Sequence, residues 1–554
     1  MKSIFLSYKW LILGIICLAL SPLLRTKFDL SEEKKFSIST GTKSILDSLK
    51  APIKVKVFLD DENTPGGFKR LHEAIISTLN EFKDYSSQQI EVEQVHIYKD
   101  YPTERDRNEL AFYLDSLGLP PTNVVNTEDG KKTQIMVFPG IVIEFNQQVV
   151  ASLLLKGNKL SNPQEILNQS MEGLEFEIIQ AIRQLQNPVR KKVGFLLDYS
   201  ATPAIQQWDL IRNLKKKYDL YPVDLDNSMT LDGLDAICLI QPNKPIPSQN
   251  VFKIDQFLVK GGKALFFMDG CRVDTVQNQG LIITPTKTGL EELFFKNGFR
   301  INADLVKDAQ LCAAIPLVVG NYGDKPNIQL MPWPAFPLLT GNNQNNITRN
   351  LDNIYGKFVS SIDTLGNTQL KITPLLHSGK FTQLQKAPAT LPFSASGKEF
   401  EPSNFKSGEK ISAIISEGIF NSIFANRILP NDSLQSIFVE KGNKKAGILL
   451  VADGDIPLNS LDPKTNQPLP LGFDVFSQHT FGNKDFILNA FSYLLDDQNA
   501  LMARSKKIIL RPLDKEKIAA EKSFWKTLNL SVPIIFGLFM GFGILFWRKR
   551  KYQQ

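Results

Sequence analysis

Two apolar stretches, one near each end, constrain this chain more than anything between them. The first runs from Trp10 to Leu24. With Ile4, Phe5 and Leu6 ahead of it, it approaches the roughly 20 residues that a helix needs to cross a hydrocarbon core ~30 Å thick. Lys2 and Lys9 would suit the basic start of a cleaved signal peptide. However, Leu20-Ser21-Pro22-Leu23-Leu24 lacks a small-x-small cleavage pattern, and Gly14, Ile15 and Ile16 before Cys17 form no lipoprotein processing box. An uncleaved anchor is expected. The second stretch, Leu528 to Trp547, is bracketed by Trp525 and Trp547, and its Pro533 sits in the first turns, where a missing N–H costs little. Arg548, Lys549, Arg550 and Lys551 follow at once, which places the C-terminus in the cytoplasm. Two spans put the N-terminus on the same side and leave the middle, roughly Arg25 to Lys522, outside. The expected protein is thus a two-pass inner-membrane protein with cytoplasmic termini and periplasmic main domains. Gly537 and Gly541 form a small-xxx-small pair suited to close contact with a membrane partner.

At 554 residues the chain exceeds one compact core, and about three or four domains are expected. Hydrophobic residues at 43% and charged residues at 22% are ordinary globular values. Much of the net charge of +7 sits in the basic tail, and no basic stripe follows a single predicted element, so nucleic-acid binding is not expected. Four cysteines, Cys17, Cys238, Cys271 and Cys312, contain no CxxC pair, which excludes a zinc finger or a CxxC redox centre. Cys238 and Cys271 flank predicted neighbouring strands, so a bond between them stays open.

Hydrophobic periodicity divides the outer region. Ile53–Leu59 alternates as a strand, and Pro65–Tyr85 carries Leu71, Ile75, Leu79 and Phe82 at helical spacing. Ile90–Ile97 reads as a strand, Thr103–Leu117 as a helix, and Gln134–Phe145 with Gln148–Leu155 as a hairpin turning at Asn146-Gln147. A helix over Pro163–Gln186 closes the unit. This β-α-β-α-β-β-α order, over residues 27–190, predicts a thioredoxin-like α/β domain. From Lys192 on, continuous apolar strands alternate with helices: Val193–Leu197, Ala204–Lys217, Leu220–Val223, Ala236–Ile240, Ser248–Val259 and Lys263–Met268. That pattern predicts an open parallel α/β domain of flavodoxin or amidotransferase type, covered on both faces. It spans 191–310 and resumes over 440–500, with Ala446–Ala452 as a strand and Lys484–Leu495 as a helix. Residues 311–439 read as a β-rich insertion. Residues 1–26 are the first anchor, 501–526 a linker and 527–548 the second anchor.

Candidate chemistry is sparse. Asp198, Asp269 and Asp453, with Asp455 close by, stand at the C-terminal ends of predicted strands, the edge where open α/β sheets bind ligands. Aspartate there is also a routine turn or cap residue. Cys271 after a strand, with His479 downstream, is the one nucleophile–base pair suggested, although Asp269-Gly270-Cys271-Arg272-Val273 lacks the second glycine of a nucleophile elbow. His72-Glu73 begins like a zinc-protease helix, but Ile76 occupies the second ligand position. No GxxxxGK[ST] occurs. No metal or cofactor is expected. Pro332, Trp333, Pro334 and Phe336 form a proline–aromatic ledge that resists helix and central strand. It suits either an exposed partner surface or a buried connector.

Several segments together resemble the GldG family, the gliding-associated auxiliary subunit of an ABC transporter in Bacteroidetes. They include Phe28-Asp29-Leu30-Ser31-Glu32-Glu33-Lys34-Lys35-Phe36-Ser37, Pro65-Gly66-Gly67-Phe68-Lys69-Arg70-Leu71 and Met171-Glu172-Gly173-Leu174-Glu175-Phe176-Glu177. Lys253-Ile254-Asp255-Gln256-Phe257, Gly261-Gly262-Lys263, Met331-Pro332-Trp333-Pro334 and Gly482-Asn483-Lys484-Asp485-Phe486 complete the set. The resemblance implies a permease, a separate ATP-binding subunit, and a role in gliding motility or envelope export. It carries no catalytic residues. The expected function is therefore a non-enzymatic, substrate-binding-like auxiliary subunit that also meets an envelope protein or substrate. The alternative is a membrane-anchored amidotransferase- or hydrolase-like enzyme using Cys271 and His479.

Overall fold

The structure is a computed structural model that describes residues 38–60, 64–128, 131–155, 163–186, 189–200, 202–276, 280–322, 325–349, 351–365, 369–391, 402–495 and 515–552. The first apolar stretch, with Cys17, lies outside the described residues. The chain divides into two units, Met1–Lys506 and Lys507–Gln554.

The first unit opens with helix α1 (Thr40–Asp47), whose N-cap Ser39 accepts a hydrogen bond from Thr42 N. Strand β1 (Ile53–Val57) buries Ile53, Val55 and Val57 in strict alternation. Helix α2 (Gly66–Tyr85) turns Leu71, Ile75, Leu79 and Phe82 onto the same core. Strand β2 (Ile90–Gln94), helix α3 (Glu104–Ser116), strands β3 (Gly140–Phe145) and β4 (Gln148–Leu153) and helix α4 (Pro163–Gln186) follow. The sheet order is β2-β1-β3-β4, parallel for β1 and β2 and antiparallel elsewhere. Glu175 on α4 accepts from Ser39 N and Thr42 Oγ1, both at 2.7 Å, and so pins α1 to α4. Asn146 and Gln147 take φ of 46° and 65°, a left-handed pair that closes the β3–β4 hairpin. The longer hairpin read from the sequence splits at Pro139. Residues upstream of it, Lys131–Val137, pair instead with Thr122–Glu128 as a separate ribbon, because proline offers no N–H to continue the ladder.

A larger mixed sheet follows. Its strands are β5 (Lys192–Leu196), β6 (Asp219–Val223), β7 (Ala236–Ile240), β8 (Lys263–Phe267), β9 (Cys312–Tyr322), β10 (Lys325–Gly341), β11 (Lys371–His377), β12 (Ile411–Asn421) and β13 (Lys441–Val451). They run in the order β9-β10-β11-β12-β13-β8-β7-β5-β6. From β13 to β6 every pairing is parallel. From β13 to β9 every pairing is antiparallel. This corrects two expectations: the sheet is mixed rather than parallel, and much of the region read as an insertion belongs to it. Ile414 and Ile415 of β12 bury on opposite faces beside Leu450 and Leu449 of β13, so the apolar surface of the parallel half continues without a break.

Helix α6 (Ser248–Val259) covers one face, packing Phe252 and Ile254 with Ile237, Leu239, Phe266 and Ile448. Helices α5 (Trp208–Leu214) and α7 (Asn483–Leu495) bring Leu210, Phe486, Ala490 and Phe491 to the other face, with Cys238, Ile240, Leu265 and Leu449. The helix expected over Ala204–Lys217 is shorter. Ala204–Gln207 is a 3-10 turn, and Asn459 serves the junction by donating its N–H to Gln206 O and accepting from Asp209 N. Cys238 and Cys271 are free thiols in different apolar clusters, which closes the disulfide question.

The proline–aromatic ledge is part of strand β10, but at Pro332 to Pro337 the ladder runs to β9 alone, so the segment is not a central strand there. Ala314 pairs with Pro332 and Cys312 with Pro337 across a register shift, so the prolines between fall where no ladder donor is required. Trp333 and Pro334 are buried, Phe336 is half-buried and only Pro332 is exposed, so this segment is mostly core.

The second unit contains α8 (Lys515–Tyr552), in which Ser523–Arg550, with hydropathy 2.1, is long and apolar enough to cross a membrane. Its large apolar side chains are exposed.

Asp255 of α6 accepts from Ser422 Oγ (2.6 Å) and Ile423 N (2.9 Å), joining the helix to the connection that follows β12. Asp255→Ala leaves both donors unpaired, and unfolding of the first unit should lose about 2–4 kcal/mol. Thermal melting in mild detergent checks this, with Asp255→Asn expected to lose less.

Candidate functional site

The parallel strands β6-β5-β7-β8-β13 reverse their order of addition between β5 and β7, and the loops leaving those two strands form the switch point where such sheets bind ligands. Here the chain itself closes the crevice. Ser200 bridges Pro242, Asn243 N donates to Tyr199 O (3.0 Å), and Thr202 Oγ1 donates to Gln241 Oε1 (3.4 Å). Gln241 takes φ of 47° to turn out of β7.

The four aspartates separate into two groups. Asp198, after β5, accepts from Leu225 N (2.7 Å) and stands beside Asp224 and Asp226. Burial raises its carboxyl above the usual range, opposed by the Leu225 hydrogen bond. Tyr199 next to it donates to Asp226 Oδ1 (3.0 Å) and accepts from Asn250 Nδ2 (2.8 Å), so this group knits the β5 and β6 loops to α6. Asp269, Asp453 and Asp455 form the second group, at the ends of β8 and β13. Asp269 Oδ1 accepts from Gly454 N (2.7 Å) and its Oδ2 from Gln241 Nε2 (3.1 Å). Asp453 is fully buried and accepts from Asp455 N (2.7 Å) and Lys357 N (2.8 Å). Gly454 must be glycine because a Cβ there would lie 2.9 Å from Asp269 Oδ2 and 2.9 Å from Gln241 Cβ.

Burial, and then the charge of Asp455, push Asp269 up to about 7. Burial raises Asp453 well above the carboxylate range, with Asp455 and Asp269 adding to it. Asp455 is raised by burial as well, against the pull of Lys357. Such a group holds a proton near neutrality and clasps three loops together. Among the described residues no set of three or more His, Cys, Asp and Glu side chains is arranged to hold a metal ion. A hollow of about 620 Å³ opens beside Glu104, Arg105 and Phe112 of α3, and none of the aspartates lines it. Gln241, Lys357 and Gly454 were missed in the sequence. Lys357 contributes a backbone N–H from 96 positions away, which no local pattern encodes.

Cys271 and His479 are not brought together as a pair. Cys271 begins the strand Cys271–Val276, buried with Leu281, Ile283 and Leu305, not on a strand-to-helix elbow. Burial, with Asp304 and Asp269 adding to it, drives its thiol up to about 12, the reverse of what a nucleophile requires. His479 is half exposed, with Nε2 2.8 Å from Asp352 Oδ2 and its ring edge-on to Phe481 at 4.6 Å. His72, on the helix that began like a zinc site, donates through Nδ1 to the Leu59 carbonyl at 2.6 Å.

Beyond the ledge, the β9–β10 hairpin has one buried and one exposed face. Ile315, Leu317 and Trp333 enter the core. Pro316 opposite Leu330 and Val318 opposite Ile328 form an exposed apolar face that continues to Pro332. Gly537 and Gly541 stand open on α8, where an added Cβ would meet nothing within 4 Å.

The described site thus belongs to a mixed α/β protein with a candidate membrane helix and no assembled Cys271–His479 pair. A family profile described as an ABC-type uncharacterized transport system matches residues 190–490, and the chain belongs to that family of ABC transporter auxiliary proteins. A domain of unknown function, DUF7088, matches residues 32–144. No curated protein matches. Two solved structures are similar at 10% identity. The mmIFT52 N-terminal domain has a TM-score of 0.30, with 55% of this chain and 97% of that one covered. A ThuA-like protein from Parabacteroides merdae has a TM-score of 0.24, with 59% and 94% covered.

Because the folded pKa of Asp269 is raised, its stabilising protonated form is fully present below about pH 4 and is lost as pH rises through about 7. Melting of the first unit should therefore be higher at pH 5 than at pH 8. Asp269→Asn should flatten that difference, and a wild-type profile rising from pH 5 to pH 8 would contradict the assignment. Alkylation by iodoacetamide should spare Cys271 in the native chain and reach it on unfolding, and Cys271→Ala should retain partner binding.

Proposed function

We propose that this chain is the non-enzymatic, substrate-binding-like auxiliary subunit of an ABC transporter complex of the GldG type, linked to gliding motility or envelope export. It is held by a membrane helix at each end, with both termini in the cytoplasm and the domains on the periplasmic side. Its partners are a polytopic permease and a separate ATP-binding subunit. The observation that carries this reading is the family match over 190–490 in a chain that continues into the membrane-length helix α8.

Further features support the reading. The order β2-β1-β3-β4, with one parallel and two antiparallel pairings, is that of a thioredoxin-like unit, and residues 27–190 lack cysteine altogether, so that unit serves binding or scaffolding. The order β6-β5-β7-β8-β13 is the flavodoxin-like one. Gly537 and Gly541 supply a close-packing stripe for a permease helix, and the exposed hairpin face at Ile328, Leu330 and Pro332 supplies a surface for an envelope protein.

The test is a pull-down of the tagged full-length chain in mild detergent, followed by mass spectrometry. A permease and an ATP-binding subunit should be recovered together. A well-folded chain recovered alone would overturn the reading. In the Ile328→Glu/Leu330→Glu variant, recovery of the envelope partner should fall about tenfold, the loss expected for an apolar anchor at an interface, while the permease is retained.

A further inference from the structure

We propose that the N-terminal edge of the parallel sheet is a docking surface for an anionic lipid bilayer. The proposal rests on the reading of α8 as a membrane span. The two ends of the parallel sheet differ in composition. The C-terminal edge carries Asp198, Asp224, Asp226, Asp269, Asp453 and Asp455, whereas the opposite edge gathers lysines, with Asp219, Asp232 and Asp235 among them in ion pairs. That edge is continuous through direct contacts. Arg190 donates to Lys215 O and Tyr218 O at the turn before β6. Lys192 N donates to Asp235 Oδ2, Lys263 N donates to Asp235 O, and Lys263 Nζ donates to Lys445 O within β13. Lys444 packs its side chain on Gly261.

Three acids of this edge are paired with bases: Asp219 with Arg190 (3.3 Å), Asp235 with Lys191 (2.9 Å) and Asp232 with Lys260 (3.0 Å), while Glu417 accepts from Tyr493 Oη (3.0 Å) beside Lys263. Lys192, Lys215, Lys216, Lys444 and Lys445 are exposed and form no ion pair among the described residues. Burial lowers the Lys216 amine below its usual range, with Lys484 and Arg212 adding to this and Asp209 and Glu177 opposing it. Exposed lysines that form no ion pair, beside acids that are mostly paired, fit a surface of phosphate headgroups.

The course of the chain favours a bilayer over a soluble polyanion. Helix α7 ends at this same edge: Leu494 Cδ2 stands 2.8 Å from a Cβ added at Gly447, and Gly447 pairs with Lys263, the first residue of β8. Tyr493 Oη donates to Glu417, which pairs with Gly447. Residues 496–514 separate α7 from α8 in the sequence. The basic edge is thus where α7, the last described element before α8 in the sequence, ends.

Lysine footprinting tests this on the full-length chain in nanodiscs of phosphatidylglycerol or of phosphatidylcholine, using an acetylating reagent and mass spectrometry. Lys215, Lys216, Lys444 and Lys445 should be acetylated about fivefold more slowly in the anionic discs, and high salt should abolish the difference. Lys464, exposed in the loop beyond the opposite edge, is the control and should not change. The variant Lys215→Glu/Lys216→Glu/Lys444→Glu/Lys445→Glu should lose the lipid-dependent protection of Lys192. Equal rates in both discs, with the chain incorporated, would overturn the proposal. Protection by heparin in neutral discs without protection in anionic ones would assign the edge to another polyanion and also overturn it. A chain that enters neither disc would refute the membrane span itself, a failure separable from the others.

Discussion

Burial of the strands β7, β8 and β13 on both faces is the constraint on which the rest of the first unit depends. Ala236, Ile237, Cys238, Leu239 and Ile240 are all buried, alternately against α6 and against α5 with α7. Each fully buried aliphatic or aromatic side chain contributes about 1.5–3 kcal/mol of transfer free energy, offset by the entropy of ordering the chain. A two-faced core leaves no face of these strands for a ligand. Whatever the sheet presents to the outside is presented at its edges and in the loops that leave them.

Those edges differ in chemistry. At the C-terminal edge, carboxylates accept hydrogen bonds from the backbone of loops that are distant in sequence, and their proton affinity rises because the same loops exclude water from them. The aspartates there act as clasps, and the switch-point crevice is occupied by the Ser200–Pro242 bridge. At the N-terminal edge, Lys192 and Lys263 begin β5 and β8, and the turn before β6 and the strand β13 bring further lysines there. The family of ABC transporter auxiliary proteins and the membrane-length helix both point to membrane association.

Much of the fold was legible in the sequence. The helix Ser248–Val259 and the strand Ala236–Ile240 stand where periodicity and apolar runs put them. Asn146-Gln147 closes a hairpin as expected, because left-handed backbone favours such a polar pair. The errors share a cause. The ribbon partner of Lys131–Val137, the strand through Pro332 and Pro334, and the short helix after Gln207 depend on which segment meets each backbone. For the last two that segment lies tens or hundreds of residues away, and a local window does not contain it. The candidate site fared less well for the same reason. Asp269 and Asp453 do meet, but Asp198 joins another group, and Cys271 and His479 occupy separate surroundings.

The sequence by itself determined the membrane-length apolar helix near the C-terminus, the apolar strands and amphipathic helices of an α/β protein, and the absence of a CxxC pair. These follow from composition and period, which need only near neighbours. Only the tertiary structure decided that β11 and β12 extend the sheet antiparallel, that the proline–aromatic ledge is mostly core, and that Asp269, Asp453 and Asp455 meet in one group. Those outcomes depend on register and on pairing across long stretches of chain. Lys192 at the start of β5, Lys215 in the turn before β6 and Lys445 within β13 come from separate parts of the chain, and no charge run in the sequence foretells their placement at one end of the sheet.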